Sequence, residues 1–290
     1  MSKKHPIISV TGSSGAGTTT VKTTFDQIFR REGIEAVSIE GDAFHRFDRA
    51  SMKAELERHK AAGEDTFSHF SYDANELGKL EEVFRTYGET GKGETRHYVH
   101  DESEAERWGA APGNFTRWEP FADNSDLLFY EGLHGAVVND EVNIAKFADL
   151  KIGVVPVINL EWTQKIHRDK ASRGYSTEAV TETILRRMHA YVHCICPQFV
   201  ETDVNFQRVP VVDTSNPFCA RWIPTADESL VVIRFKNPRG IDFPYLTSMI
   251  EGSWMTRANS IVIPGGKMDL AMQLIFTPMV HRLVSESKRA

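Results

Sequence analysis

Three groups of residues in this sequence have the types and spacing to do chemistry. The first is Val10-Thr11-Gly12-Ser13-Ser14-Gly15-Ala16-Gly17-Thr18-Thr19-Thr20. Gly12, Gly17 and Thr19 meet the spacing of the phosphate-binding pattern G-x-x-x-x-G-K-S/T, but Thr18 stands where that pattern has lysine. The backbone amides of such a turn, with the N-terminus of a following helix, hold phosphates. Their missing positive charge must then come from elsewhere in the chain. The second group is Lys165-Ile166-His167-Arg168-Asp169-Lys170-Ala171-Ser172-Arg173-Gly174-Tyr175-Ser176-Thr177-Glu178. On a helix Lys165, Arg168, Asp169 and Arg173 share one face. A cationic face with one carboxylate is ordinarily solvated, but this one could close over a nucleotide and supply the charge that the loop lacks. The third group is the pair of segments Glu40-Gly41-Asp42-Ala43-Phe44-His45-Arg46 and Asp126-Leu127-Leu128-Phe129-Tyr130-Glu131-Gly132. Both end an apolar run in carboxylates, and Glu131 is expected to hold a metal-bound water opposite the phosphate loop.

Positioning these groups requires a particular order of elements. Ile7-Ile8-Ser9-Val10 is short, apolar and β-rich, as a buried parallel strand is. After the glycine loop, Val21, Phe25, Ile28 and Phe29 recur at i, i+4, i+7 and i+8, a helical stripe that Gly33 is expected to cap. Strand, glycine loop and helix thus follow in the order that a phosphate site needs. Ala36–Glu40 reads as a second strand, and in an open parallel sheet ligands bind beyond the carboxyl ends of the strands, where Asp42, His45 and Arg49 would sit. Helices are expected over 48–63 and around 73–87. Residues 88–120 carry five glycines and two prolines among many charges and read as an irregular, lid-like insertion. His97, Tyr98, His100 and Arg117 lie there, with His100 singled out. Further expectations are a buried strand from Ile152 to Leu160, the last parallel one, and a helix from Thr181 to Cys194. Two strands at 230–235 and 260–263 and a closing helix over 267–287 complete the chain. The whole is expected to form a single domain over 1–290, of α/β class, with a mostly parallel twisted sheet flanked by helices and antiparallel strands added at one edge.

Composition narrows the functions. The chain has 290 residues, 41% hydrophobic and 26% charged, with a formal charge of −6, which argues against a general nucleic-acid binder. No run of 18 or more residues is wholly apolar, and no signal-like segment precedes the first strand, so a cytoplasmic location away from membranes is expected. Cys194, Cys196 and Cys219 show no zinc spacing and read as reduced, mostly buried thiols.

The sequence Lys-aliphatic-x-Arg-Asp-x-x-x-Arg-Gly-x-Ser/Thr-x-Glu beginning at Lys165, the loop Gly-Ser-Ser-Gly-Ala-Gly-Thr-Thr-Thr and the block Glu-Gly-Asp-Ala-Phe-His-Arg together resemble the bacterial phosphoribulokinases, which group with the uridine kinases among P-loop kinases. The resemblance runs from the first strand to the last helix and implies a P-loop kinase fold. The implied activity is transfer of the ATP γ-phosphoryl group to O1 of ribulose 5-phosphate, giving ribulose 1,5-bisphosphate for carbon fixation. It further implies that Gly12, Ser13, Ser14, Gly15, Ala16, Gly17, Thr18, Thr19 and Thr20 bind the ATP phosphates. Thr19, Glu131 and Asp169 would serve Mg²⁺, with no tightly bound cofactor. Asp42 would be the general base, with Asp169 its rival, and Lys165 would replace the loop lysine. His45, Arg49, His100, Arg168 and Arg173 would hold the sugar phosphate. Bacterial members are activated by NADH, inhibited by AMP and assemble as large homo-oligomers, possibly octamers. Arg186, Arg187, Arg234 and Arg257 are the effector candidates, with surface or interface salt bridges as the other reading. The plant-type enzymes carry a regulatory cysteine in the phosphate loop, and this chain has none between Gly12 and Thr20, so dithiol switching is not expected.

A uridine-kinase-like nucleoside kinase shares the loop, but a neutral nucleoside offers no phosphate for the arginines to grip. A GTP-dependent switch needs Asp-x-x-Gly and Asn-Lys-x-Asp, and the chain has neither pattern.

Overall fold

A computed structural model describes residues 4–13, 17–64 and 66–289, with the backbone alone for Thr19, Ser172 and Arg173. Ser14, Gly15 and Ala16 of the expected phosphate loop, and the side chains of Thr19 and Arg173, therefore lie outside the described residues. The chain opens with β1 (Ile7–Gly12), α1 (Thr18–Glu32), β2 (Ala36–Glu40), α2 (Arg49–Ala61) and α3 (Leu77–Thr90). Next come β3 (Glu94–Thr95), α4 (Glu102–Trp108), β4 (Glu119–Pro120), β5 (Leu127–Gly132) and β6 (Leu150–Val155). Then follow α5 (Ile158–Arg173), α6 (Thr177–Ala190), α7 (Gln198–Glu201), β7 (Val204–Pro210) and β8 (Ser229–Phe235). The chain ends with α8 (Phe243–Met249), β9 (Trp254–Arg257), β10 (Ser260–Pro264) and α9 (Met268–Ser287).

Eight strands form one sheet in the order β2-β5-β1-β6-β7-β8-β10-β9, and β3 pairs with β4 separately. The pairs β2–β5, β5–β1, β1–β6 and β6–β7 are parallel. The pairs β7–β8, β8–β10 and β10–β9 are antiparallel, so the added strands all lie at one edge. Successive side chains of a strand point to opposite faces, and here both faces are covered. Ile8, Val10, Phe129, Ile152 and Val154 pack with Val21, Phe25 and Phe29 of α1 and with Met272 and Phe276 of α9. Ile7, Ile39, Leu128 and Tyr130 face the other way, onto Leu80, Val83, Phe84 and Tyr87 of α3. Phe25 holds the first layer together, its ring centroid 5.0 Å from those of both Phe129 and Phe276. Each fully buried phenylalanine of this kind contributes about 1.5–3 kcal/mol.

Several sequence expectations are corrected. The strand expected over 152–160 stops at Val155, because Pro156 offers no N–H for a ladder and Ile158 already begins α5. That strand is not the last parallel one, since β7 pairs in parallel beyond it. Residues 88–120 are more ordered than their glycines suggest, with α4 and the β3–β4 ribbon inside them and a further bridge between Tyr98 and Phe115. The helix expected from Thr181 to Cys194 is α6, which begins at Thr177 and passes into a π turn over Tyr191–Ile195. None of the cysteines is fully buried; Cys194 and Cys196 are half-buried and Cys219 is exposed, all three as free thiols. No helix among the described residues is long and apolar enough to cross a membrane.

The tail of the second motif has a structural explanation. Gly174 takes a left-handed conformation (φ 67°) to end α5, and the Ser176 hydroxyl accepts the Ala179 N–H at 3.2 Å to start α6. Ser176→Ala is expected to cost about 1 kcal/mol of stability, read from the midpoint of urea denaturation.

Candidate active site

The carboxyl ends of β1, β2 and β5 converge, and each delivers a group named from sequence. β1 leads into the phosphate loop, whose described part begins with the buried Ser13 and resumes at Gly17. Gly17 adopts φ 102° as it enters α1, and the first turn of α1 carries no acidic residue to offset the partial positive charge of its N-terminus. Thr18, in the place of the absent lysine, donates its hydroxyl to Glu131 at the end of β5. Burial pushes the Glu131 carboxyl up, and the charges of Asp42 and Glu40 push it further, against that hydroxyl. Three carboxylates thus gather here, with Lys22 of α1 paired to Glu40 at 2.7 Å as their nearby cation. They are close because their backbones are: a Cβ built on Gly41 would stand 2.7 Å from the Gly132 Cα, and one on Gly132 2.5 Å from the Gly41 Cα.

Asp42 follows β2 in a single 3-10 turn. Each of its carboxylate oxygens meets one imidazole, His45 Nε2 at 3.1 Å and His100 Nε2 at 3.3 Å. The other His45 nitrogen faces the Asn75 side-chain oxygen at 2.8 Å. The Asn75 amide nitrogen donates to the His69 and Ser71 carbonyls, which fixes that orientation. Both His45 nitrogens therefore face pure acceptors, and the ring must carry both protons. Burial lowers the His45 pKa, but the Asp42 carboxylate and the Asn75 oxygen outweigh it and the net shift is upward. Burial raises the Asp42 carboxyl, yet the charge of His45 and the hydrogen bonds from His100 and His45 hold it well below the ordinary carboxylate range. The Asp42 side chain remains 39% exposed, so burial opposes its ionised form less than the imidazoles favour it.

The insertion over 88–120 delivers His100 to this point, and Arg49 at the start of α2 clasps it, donating to the His100 carbonyl at 2.8 Å and to the Tyr98 hydroxyl. Arg96 pins the same segment to the turn of Asp42 through the Ala43 and His45 carbonyls, both at 2.8 Å.

The opposite wall comes from α5 and α6. Lys165 is buried and pairs with Asp169 at 2.5 Å, while Arg168 reaches the other Asp169 oxygen at 3.2 Å. Burial, with the neighbouring charge of Arg187, brings the Lys165 ammonium down to about 8 despite Asp169. One turn earlier, Glu161 accepts a hydrogen bond from the Ser13 hydroxyl at 2.5 Å. Arg187 lines a cavity with Glu161, Lys165 and Phe70, and its charge is felt at His45 and His69. Of the four arginines expected at effector positions, Arg187 thus stands at the site itself. The buried Arg186 Nε has no hydrogen-bond partner among the described residues. Arg234 and Arg257 lie on the antiparallel half of the sheet, both in register with Ser260, and Arg234 donates to the Phe199 carbonyl at 3.3 Å.

Sequence reasoning passed over Glu161, Asn75 and Arg96. Glu161 alone left a trace, being four residues before Lys165 and eight before Asp169 and so on the same helix face. No group of three or more His, Cys, Asp or Glu side chains among the described residues is arranged to hold a metal ion. The site does offer a divalent cation the hydroxyl–carboxylate pair of Thr18 and Glu131 beside two further carboxylates, a donor set of hard oxygens.

The chain is similar to known proteins along its whole length. The family model described as Phosphoribulokinase / Uridine kinase family matches residues 7–215. The chain is 80% identical to phosphoribulokinase 1 of Cereibacter sphaeroides over 290 residues, the full length of both. It is 68% identical to phosphoribulokinase of Nitrobacter vulgaris, again over the full length of both. A solved structure of phosphoribulokinase from Rhodobacter spheroides superposes with a TM-score of 0.91 at 77% identity, covering 99% of this chain and 100% of that one.

Proposed function

Because the chain belongs to the phosphoribulokinase/uridine kinase family, we propose that it transfers the γ-phosphoryl group of ATP to O1 of ribulose 5-phosphate, yielding ADP and ribulose 1,5-bisphosphate for carbon fixation. The observation that carries this reading is an ionised Asp42 at the carboxyl end of β2 with cationic side chains on one side of it: His45 and His100 on its oxygens, Arg49 on the His100 segment and Arg187 near His45. A phosphorylated sugar can satisfy those cations, and a neutral nucleoside cannot.

The substrate O1–H proton passes to an Asp42 oxygen as O1 attacks the γ-phosphorus and the bond to the β-phosphate oxygen breaks, releasing ADP. A carboxylate held below its ordinary pKa is a weak base. It suffices because phosphoryl transfer goes through a loose transition state, in which the proton leaves late. His45 and His100 hold the carboxylate toward the acceptor. Asp169 is less suited to be the base, since Lys165 and Arg168 occupy both of its oxygens. Gly12 to Thr20 take the ATP phosphates, and Lys165 neutralises charge on the group in transit, released from Asp169 by the arriving phosphate. Thr19 and Glu131 would hold the Mg²⁺ that accompanies ATP, with Asp169 as a further ligand, and the ion would supply charge neutralisation at the phosphate oxygens. Residues 88–120 close the acceptor side through His100 and Tyr98.

NADH as activator, AMP as inhibitor and assembly into a homo-oligomer, possibly an octamer, accompany this reading, as does a cytoplasmic location. Arg186, Arg234 and Arg257 remain the effector candidates, and the position of Arg187 near His45 favours it as a grip on the sugar phosphate, a role that His45, Arg49, Arg168 and Arg173 share in this reading. The chain folds as one domain in this reading.

An ADP-release assay with ribulose 5-phosphate or uridine, each with and without NADH, tests it. Release with ribulose 5-phosphate alone is expected; release with uridine instead would transfer the chain to the nucleoside kinases. Arg49→Ala should raise the KM for ribulose 5-phosphate by about 10–100-fold, the worth of a charge-assisted hydrogen bond, with the ATP KM little changed. A rise confined to the ATP KM would reverse that assignment.

A further inference from the structure

Glu161 has no part in the chemistry proposed above, yet it is buried, 6% exposed, and bonded to the phosphate loop. A carboxylate taken from water is costly unless hydrogen bonds and opposite charges compensate it, as for any buried ion. Here the compensation is specific. The Ser13 hydroxyl, itself fully buried, donates to Glu161 Oε1 at 2.5 Å. Lys165 and Arg168 of the same helix and Arg187 of α6 supply positive charge, and Tyr191 and Cys196, at the π turn, are further titratable neighbours. Burial nevertheless pushes the Glu161 carboxyl up to about 7 against those groups. Evenly spaced at one helical turn, Glu161, Lys165 and Asp169 form a single column on α5, and Glu161 is the member that touches β1's loop.

We infer that Glu161 is a positioning residue: its hydrogen bond to Ser13 fixes the start of the phosphate loop relative to the helix that carries Lys165, so that loop amides and lysine address the same triphosphate. The inference rests on the reading that this loop binds ATP. In a loop that lacks its own lysine, the cation and the amides sit on different elements. Their mutual placement then needs a bond that a standard loop obtains through chain continuity alone. The Ser13–Glu161 bond spans 148 residues of sequence and supplies that placement.

Ser13→Ala, Glu161→Gln and the double variant test this, each measured for ATP Kd without acceptor, for kcat with both substrates, and for thermal midpoint. Both single changes are expected to weaken ATP binding or lower kcat by about 3–30-fold, as loss of one charge-assisted hydrogen bond does. The double variant is expected to fall short of the product of the two effects by about threefold or more, because residues in direct contact couple. The KM for ribulose 5-phosphate should move by less than about twofold in Ser13→Ala, which leaves every proposed grip on the sugar phosphate in place. Independent, multiplicative effects would overturn the inference, as would a lowered thermal midpoint with ATP Kd and kcat at parental values. Glu161→Gln binding ATP more tightly than the parent, with no coupling to Ser13, would show the carboxylate acting as charge alone and would overturn it too. A parent protein that binds no ATP defeats the reading beneath this one. A parent that binds ATP while the variants fail to couple defeats only the role of Glu161.

Discussion

Asp42→Asn is expected to lower kcat by about 10²–10⁴-fold or more while leaving the ATP Kd within about threefold of the parent. Asparagine keeps the shape of the side chain and its contacts with His45 and His100, so the turn after β2 stays in place. It cannot take a proton. Among the described residues the Asp42 oxygens meet imidazoles from the acceptor side and form no bond to the phosphate loop. Steady-state rates with ATP and ribulose 5-phosphate, set beside an ATP titration, separate the two effects. A variant with near-parental turnover would remove Asp42 as the base and leave Asp169 to be tested in its place. The imidazoles also set a pH dependence. With His45 holding the Asp42 carboxyl down, the base is ionised throughout the neutral range. Replacing His45 by glutamine removes that charge, so the Asp42 pKa should rise and the acid limb of kcat/KM should move to higher pH.

Lys165→Met is expected to reduce kcat by about 10²–10³-fold, the typical loss when one electrostatic stabiliser of a transition state is removed. The reason is the composition of the loop. Thr18 places a hydroxyl where a P-loop ordinarily has an ammonium, and that hydroxyl is engaged with Glu131. Two lysines could make good the deficit. Lys22 follows Thr18 by one turn of α1, but it pairs with Glu40 at 2.7 Å and its pKa is raised, because Glu40 outweighs the effect of burial. Lys165 is buried beside Arg187 and Asp169, and its ammonium is already brought down to about 8, so a phosphate would regain more by meeting it. Lys22→Met, in the same assay, is therefore expected to stay within about threefold of the parent, as exposed ion pairs are worth little. The reverse result would move the missing charge to α1.

What could be read from the sequence follows from which contacts are local. The unit β1–loop–α1 was legible because its apolar residues recur at the spacing of one strand and one helix, and Val21, Phe25, Ile28 and Phe29 all reach the core. Asp42 and Glu131 were legible because each follows an apolar strand, where a parallel sheet places its ligands. β9 was not, since Trp254, Met255, Thr256 and Arg257 are all exposed at the sheet edge and carry no alternation. Nor was β7, in which Asn205 interrupts the apolar run yet is itself buried and bonded to Thr202 and the Phe199 carbonyl. The site residues that escaped have distant partners. Asn75 meets His45 across 30 positions, and Glu161 meets Ser13 across 148. Periodicity carries no information about such pairs; only the folded sheet brings them together.

The close approach of Gly41 and Gly132 bears on how one site could keep two phosphorylated substrates apart. Asp42 and Glu131 each adjoin one of these glycines, and the pairing of β2 with β5 keeps their mutual repulsion from spreading the strands. The result is a fixed cluster of carboxylates at the end of β2 and β5, on elements other than the α5 and α6 that carry Lys165, Arg168 and Arg187. Carboxylates so placed oppose any bare phosphate that approaches them, by like charge alone. Missing side chains at two positions thereby set how densely negative charge is packed at the mouth of the sheet.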